Sequence, residues 1–91
     1  MINCIIIEDQ APAQRILQRY IEDVDSLNLV ETFSDPIQAI SFLNSRSIDV
    51  LFLDIHLPKL SGIEFLKSLS NPPQVILTTA FTDYALESYD L

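Results

Sequence analysis

The stretch Val50-Leu-Phe-Leu-Asp-Ile-His-Leu-Pro58 runs four apolar residues into a single carboxylate, Asp54, and then into a proline-bearing loop. Four consecutive apolar residues are too short for a helix. Apolar at every position rather than at every second one, they have the pattern of a strand buried on both faces. Comparable runs recur at Ile5–Ile7, Leu29–Val30 and Val75–Leu77, with segments of helical period between them. The order is β-α-β-α-β-α-β-α. Strands buried on both faces and separated by helices define an α/β protein: a doubly wound parallel sheet with right-handed crossovers, in three α/β/α layers.

The helix boundaries are written in turn chemistry. Ala11-Pro12 opens the first helix, where a proline lacking its N–H costs nothing, and Ile16, Leu17, Tyr20, Ile21 and Val24 are expected to form its sheet-facing stripe. Asp35-Pro36 reads as a cap followed by a first-turn proline for a second helix carrying Ile37, Ile40 and Leu43. Ser61 caps a third with Ile63, Leu66 and Leu69, and a fourth begins near Thr82-Asp83.

Ninety-one residues, 48% of them hydrophobic, make one domain, residues 1–91, with a small core. Thirteen acidic against five basic residues give a net charge of -8. That charge repels phosphate backbones and anionic headgroups, so neither direct nucleic-acid binding nor membrane binding is expected. The opening Met1–Ile7 is too short for a secretory core, lacks a basic flank and runs straight into Glu8 and Asp9. Cys4, the single cysteine, lies in an apolar run and is expected to be a buried structural thiol, which fits a cytoplasmic, disulfide-free protein.

In an open parallel sheet the ligand site lies beyond the carboxyl ends of the strands, where the strand order reverses. Glu8 and Asp9 follow the first apolar run, Asp54 the third, and Thr78-Thr79-Ala80 close the fourth. A lone acid after a strand is ordinarily a solvated loop residue, and two threonines are ordinary strand formers. Three acids at corresponding strand ends are a different matter. If the first and third strands are neighbours, as in the flavodoxin-like order, three carboxylates meet beside a hydroxyl and cannot all stay ionised without a cation. A hard, oxygen-seeking ion suits them. Mg²⁺, which keeps several waters and is held by one or two carboxylates plus substrate phosphate, fits best and points to phosphoryl chemistry. His56 has no second histidine or cysteine to share an ion through its ring, so a backbone carbonyl is its expected contribution. Turn geometry alone accounts for Pro58 and Gly62.

The pair E8-D9, the loop D54-I-H-L-P58 with Gly62 following, and T78-T79-A80 together resemble the receiver domain of bacterial two-component response regulators. The further run T79-A-F-T-D-Y-A-L-E-S-Y-D-L91 resembles receivers that precede LytTR-type (LytR/AlgR-like) DNA-binding domains. The resemblance implies a CheY-like fold with strand order 2-1-3-4. It makes Asp54 the phosphoacceptor, Asp9 a direct ligand of Mg²⁺ (or Mn²⁺), Glu8 a water-mediated one, His56 a carbonyl ligand and Thr79 the switch hydroxyl. Many relatives carry aspartate where Glu8 stands. It implies a sensor histidine kinase as phosphoryl donor, a LytTR-type transcriptional output domain, and a signalling domain rather than an enzyme.

A receiver of this kind continues into a fifth strand bearing a lysine, then a fifth helix. Neither follows in residues 1–91, and Lys59 and Lys67 match no such position, so an amino-terminal receiver fragment is expected. A fourth strand left at the edge is expected to invite dimerisation or segment exchange, with Tyr84, Leu86 and Tyr89 losing apolar support. A haloacid-dehalogenase-like phosphatase also places a nucleophilic aspartate at a strand end. It needs a second acid two residues on, where His56 stands. A non-catalytic flavodoxin-like interaction module is the other alternative, and the strand-end acids count against it.

Overall fold

The computed structural model describes residues 1–55, 57 and 62–78. Within them the order is β1 (Ile2–Ile7), α1 (Ala11–Glu22), β2 (Leu27–Phe33), α2 (Pro36–Ser45), β3 (Val50–Asp54), α3 (Gly62–Lys67) and β4 (Gln74–Thr78). The four strands form one sheet in the order β2-β1-β3-β4, parallel throughout. The doubly wound α/β architecture and the 2-1-3-4 order expected from the sequence are both present. The Ser61 cap and the fourth helix expected from Thr82-Asp83 lie outside the described residues.

β1 is one of the two inner strands, and its alternation builds both layers. Ile5 and Ile7 join Leu51 and Leu53 of β3 under Ala39 and Leu43 of α2, with Phe65 and Leu69 from the α3 segment. Cys4 and Ile6 face the opposite way with Val50 and Phe52, under Leu17 and Ile21 of α1. Cys4 is buried with its Sγ 3.6 Å from the Asn28 carbonyl oxygen, and burial pushes its thiol pKa up. It is the inert structural thiol the sequence suggested.

A register irregularity opposite Cys4 and Ile5 omits Val30 from the β1–β2 pairing, which passes from Leu29 to Glu31. The extra residue resets the alternation of β2. Leu27 and Leu29 pack on the α1 side, whereas Val30 and Phe33 pack on the α2 side. Without that shift, strict alternation would put Phe33 under α1 with Leu29.

The second helix starts as its sequence dictates: Asp35 Oδ1 accepts the Ile37 N–H at 2.9 Å, and Pro36 occupies the first turn. The α1 stripe needs correction. Leu17 and Ile21 pack on the sheet, but Ile16 is 57% exposed, Tyr20 66%, and Val24, beyond the helix end, is exposed too. At 100° per residue the inward face is centred on Gln14, Leu17, Gln18 and Ile21. The two glutamines are drawn inward because each satisfies a polar group of the sheet: Gln14 Nε2 donates to the Glu8 carbonyl and Gln18 Nε2 to Thr32 Oγ1. Ile16 and Tyr20 are thereby turned onto the outer flank.

Candidate functional site

Glu8 and Asp54 follow from the same strand alternation that builds the α1-side layer. Ile6 pairs with Phe52 and Ile7 with Leu53 in parallel register, so one step further the two acids stand side by side on neighbouring strands. Both are buried, Glu8 with 1% and Asp54 with 4% of its surface exposed. Asp9 is exposed at the same corner. One carboxylate oxygen from each of Glu8, Asp9 and Asp54 lies within 4.8 Å of the other two.

The chain around Glu8 is held from three sides. Its N–H donates to the Phe33 carbonyl at 2.9 Å, its carbonyl accepts from Gln14 Nε2 at 2.6 Å, and its Oε2 accepts the Gln10 N–H at 3.2 Å. These bonds fix the carboxyl against Asp54. Burial above all, then a hydrogen bond to Asp54 and the charge of that residue, raises the Glu8 pKa to about 7. Asp9 adds to the rise, while the Gln10 amide pulls the other way. A protonated Glu8 donating to Asp54 relieves the repulsion within the pair, and a bound cation relieves it by another route.

β4 completes the edge. Thr78 pairs with Asp54 in register, and its carbonyl accepts the Ile55 N–H at 3.0 Å, which ties the start of the loop after β3 to the neighbouring strand. Three of the sequence candidates, Glu8, Asp9 and Asp54, are therefore brought together. Thr79 and His56 lie outside the described residues. Sequence reasoning missed Gln10 and Gln14, whose roles depend on the turn between β1 and α1, a feature that residue type alone does not announce.

The donor set is all oxygen and anionic, the chemistry that Mg²⁺ or Mn²⁺ selects over softer metals. Glu8, Asp9 and Asp54 could hold such an ion, directly or through water.

The chain belongs to the response regulator receiver domain family, whose model matches residues 4–90. It is 32% identical over 93 residues to the transcriptional regulatory protein YpdB of Escherichia coli, covering 99% of this chain and 38% of that protein. To the transcriptional regulatory protein BtsR of Escherichia coli it is 29% identical over 92 residues, with the same two coverages. The chain thus spans well under half the length of these curated relatives. Among solved structures it resembles the MaeR response regulator bound to beryllium trifluoride, with a TM-score of 0.77 and 31% identity over 99% of this chain and 76% of that one. The response regulator domain of Thermotoga maritima CheB gives a TM-score of 0.78 at 25% identity, over 99% of this chain and 72% of that one.

Proposed function

We propose that this receiver accepts a phosphoryl group on Asp54 from a sensor histidine kinase and uses it to control a transcriptional output domain. The observation that carries this reading is the convergence of Glu8, Asp9 and Asp54, with one oxygen of each within 4.8 Å, at the carboxyl edge of the sheet. The MaeR relative supports it, because that protein binds beryllium trifluoride, an anion used as a phosphomimetic.

In the reaction an Asp54 carboxylate oxygen attacks phosphorus in line. The bond from phosphorus to the kinase histidine breaks with its electron pair remaining on the imidazole nitrogen, and an acyl phosphate forms on Asp54. Asp9 would hold Mg²⁺ directly, with the His56 carbonyl and Asp54 itself, and Glu8 would reach it through water. When bound, that ion supplies charge neutralisation for the incoming oxygens. Burial of Asp54 on a rigid strand end orients the nucleophile. Thr79 is assigned as the switch hydroxyl that turns toward the phosphoryl group.

The domain modifies itself and turns over no external substrate. The relatives named as transcriptional regulators, together with residues 79–91, favour a LytTR-type DNA-binding output and a cytoplasmic setting. DNA contact falls to that output, since this acidic segment repels it. Among the described residues no helix is long and apolar enough to cross a membrane.

Intact-mass measurement of the full-length protein after incubation with acetyl phosphate and Mg²⁺ tests the core of this reading. The parent should gain one phosphoryl mass and Asp54→Asn none. An Asp54→Asn protein that labels like the parent would refute it.

A further inference from the structure

Thr78 closes β4 opposite Asp54 in the parallel register. Side chains at paired positions of neighbouring parallel strands stand on the same face, about 4.8 Å apart. Thr78 lies two residues past Ile76 as Asp54 lies two past Phe52, and Ile76 and Phe52 are themselves register partners. The hydroxyl of Thr78 is therefore carried on the same face as the Asp54 carboxyl.

Its carbonyl is used, accepting the Ile55 N–H. Its side chain is not: Oγ1 is buried and has no hydrogen-bond partner among the described residues, the one such side-chain atom in them. A buried hydroxyl without a partner costs its desolvation and returns nothing, and valine would fill the same volume without that cost. Native structures keep few such groups, and a partner that arrives during function is one reason to keep one.

We propose that the Thr78 hydroxyl is a second hydrogen-bond donor to the phosphoryl group on Asp54, distinct from Thr79: it is idle beside the unphosphorylated side chain and engaged once the acyl phosphate forms. The inference rests on Asp54 being the phosphoacceptor. As the new bond from phosphorus to an Asp54 oxygen forms, the bond to the donor breaks and the electron pair leaves with it, as acetate when acetyl phosphate is used. Thr78 keeps its proton and donates it in a hydrogen bond to a phosphoryl oxygen. The incoming group carries three strong acceptor oxygens, so the missing partner is delivered by the modification itself.

The test uses full-length protein with Thr78→Val, which keeps the shape and removes the hydroxyl, and Thr78→Ser, which keeps the hydroxyl. Melting is measured without Mg²⁺, beryllium trifluoride affinity with Mg²⁺ by calorimetry, and labelling by acetyl phosphate by intact mass, with Asp54→Asn as the control. Thr78→Val should melt several degrees above the parent, because an unsatisfied buried group is gone. It should bind beryllium trifluoride roughly 10-fold more weakly, the size expected for one hydrogen bond to a charged acceptor. Thr78→Ser should restore that affinity. Val binding as tightly as the parent, Ser binding as weakly as Val, or a lowered melting point for Val would each overturn the inference while labelling of Asp54 stands. A parent that neither labels nor binds beryllium trifluoride would overturn the phosphoacceptor reading and this inference together.

Discussion

The two ends of the sheet use the same residue types to opposite effect. At the amino end Asp49 is exposed, its Oδ2 accepts the Asn3 N–H at 2.8 Å, and Asn28 Nδ2 donates to Asn3 Oδ1 at 3.0 Å. The Asp49 main chain bridges the neighbouring strands, its N–H donating to the Asn3 carbonyl and its carbonyl accepting from Gln74. Every interaction there links one strand to the next in contact with water, where a charge is cheaply solvated. At the carboxyl end Glu8 and Asp54 are buried beside each other, and Asp9 adds a third acid at the rim. Nothing in strand pairing requires them, and burial makes them costly. An acid that closes a hydrogen bond at the rim is architecture, whereas acids gathered in a largely buried corner point to a cation or a reaction.

The sharpest way to break this contrast is to neutralise one acid at each end. Asp54→Asn should abolish phosphoryl labelling completely, whereas Asp49→Asn should label at the parental rate. Intact-mass time courses separate the two outcomes, and equal behaviour of the two variants would erase the distinction between the ends.

Metal binding should divide the molecule in the same way. Mg²⁺ at a hundredfold excess over its Kd would stabilise the folded state by about 2.7 kcal/mol, provided the unfolded chain does not bind it. In a domain of this size that is a rise in melting temperature on the order of 10 °C. Asp9→Asn should lose most of the rise and Asp49→Asn none of it. A full response in Asp9→Asn would remove Asp9 from the proposed ligands.

The proton on Glu8 offers a third comparison, one that varies with pH. Its folded-state pKa is raised to about 7 from an ordinary value of 4.5, so between those two values the folded chain binds more protons than the unfolded one. Unfolding free energy therefore falls as pH rises through that window, and the contribution is greatest below pH 4.5. Without metal, the melting temperature should decline from about pH 5 to about pH 7 by a few degrees more in the parent than in Glu8→Gln. Saturating Mg²⁺ should flatten the parent's profile by stabilising the ionised carboxylates. A Glu8→Gln profile that declines as steeply as the parent's would assign the effect to another group.

Much of this was legible in the sequence for a simple physical reason. Both-face burial leaves an unbroken apolar run, as in Ile5–Ile7 and Val50–Leu53, and the residue that ends such a run is the one at the sheet edge. Strand order then brings Glu8 to Asp54 without any further signal. What was not legible depended on phase. The α1 stripe was misplaced because Gln14 and Gln18 turn inward to satisfy a carbonyl and a hydroxyl, a preference that no apolar pattern records. The shift at Val30 was equally silent, since one unpaired residue changes the face of Phe33 but not the composition of β2. Thr78 closes the fourth apolar run beside Thr79, and only its unpartnered, buried Oγ1 distinguishes it from an ordinary strand threonine.

The smallest expected effect belongs to the amino end, and it tests whether that end is only architecture. Asp49→Ala removes one accepted hydrogen bond, from the Asn3 N–H, and leaves both main-chain bonds of residue 49 in place. The freed N–H lies at the exposed rim, where water can replace the carboxylate, so the loss should be about 1 kcal/mol rather than the larger penalty of a buried orphan. Urea unfolding should show a lower midpoint with an unchanged slope, because the surface buried on folding is nearly the same. Labelling and the Mg²⁺-induced rise in melting temperature should match the parent. A weakened Mg²⁺ response in Asp49→Ala would mean that the two ends are coupled through β1 and β3, and the carboxyl corner could then no longer be treated as a self-contained site.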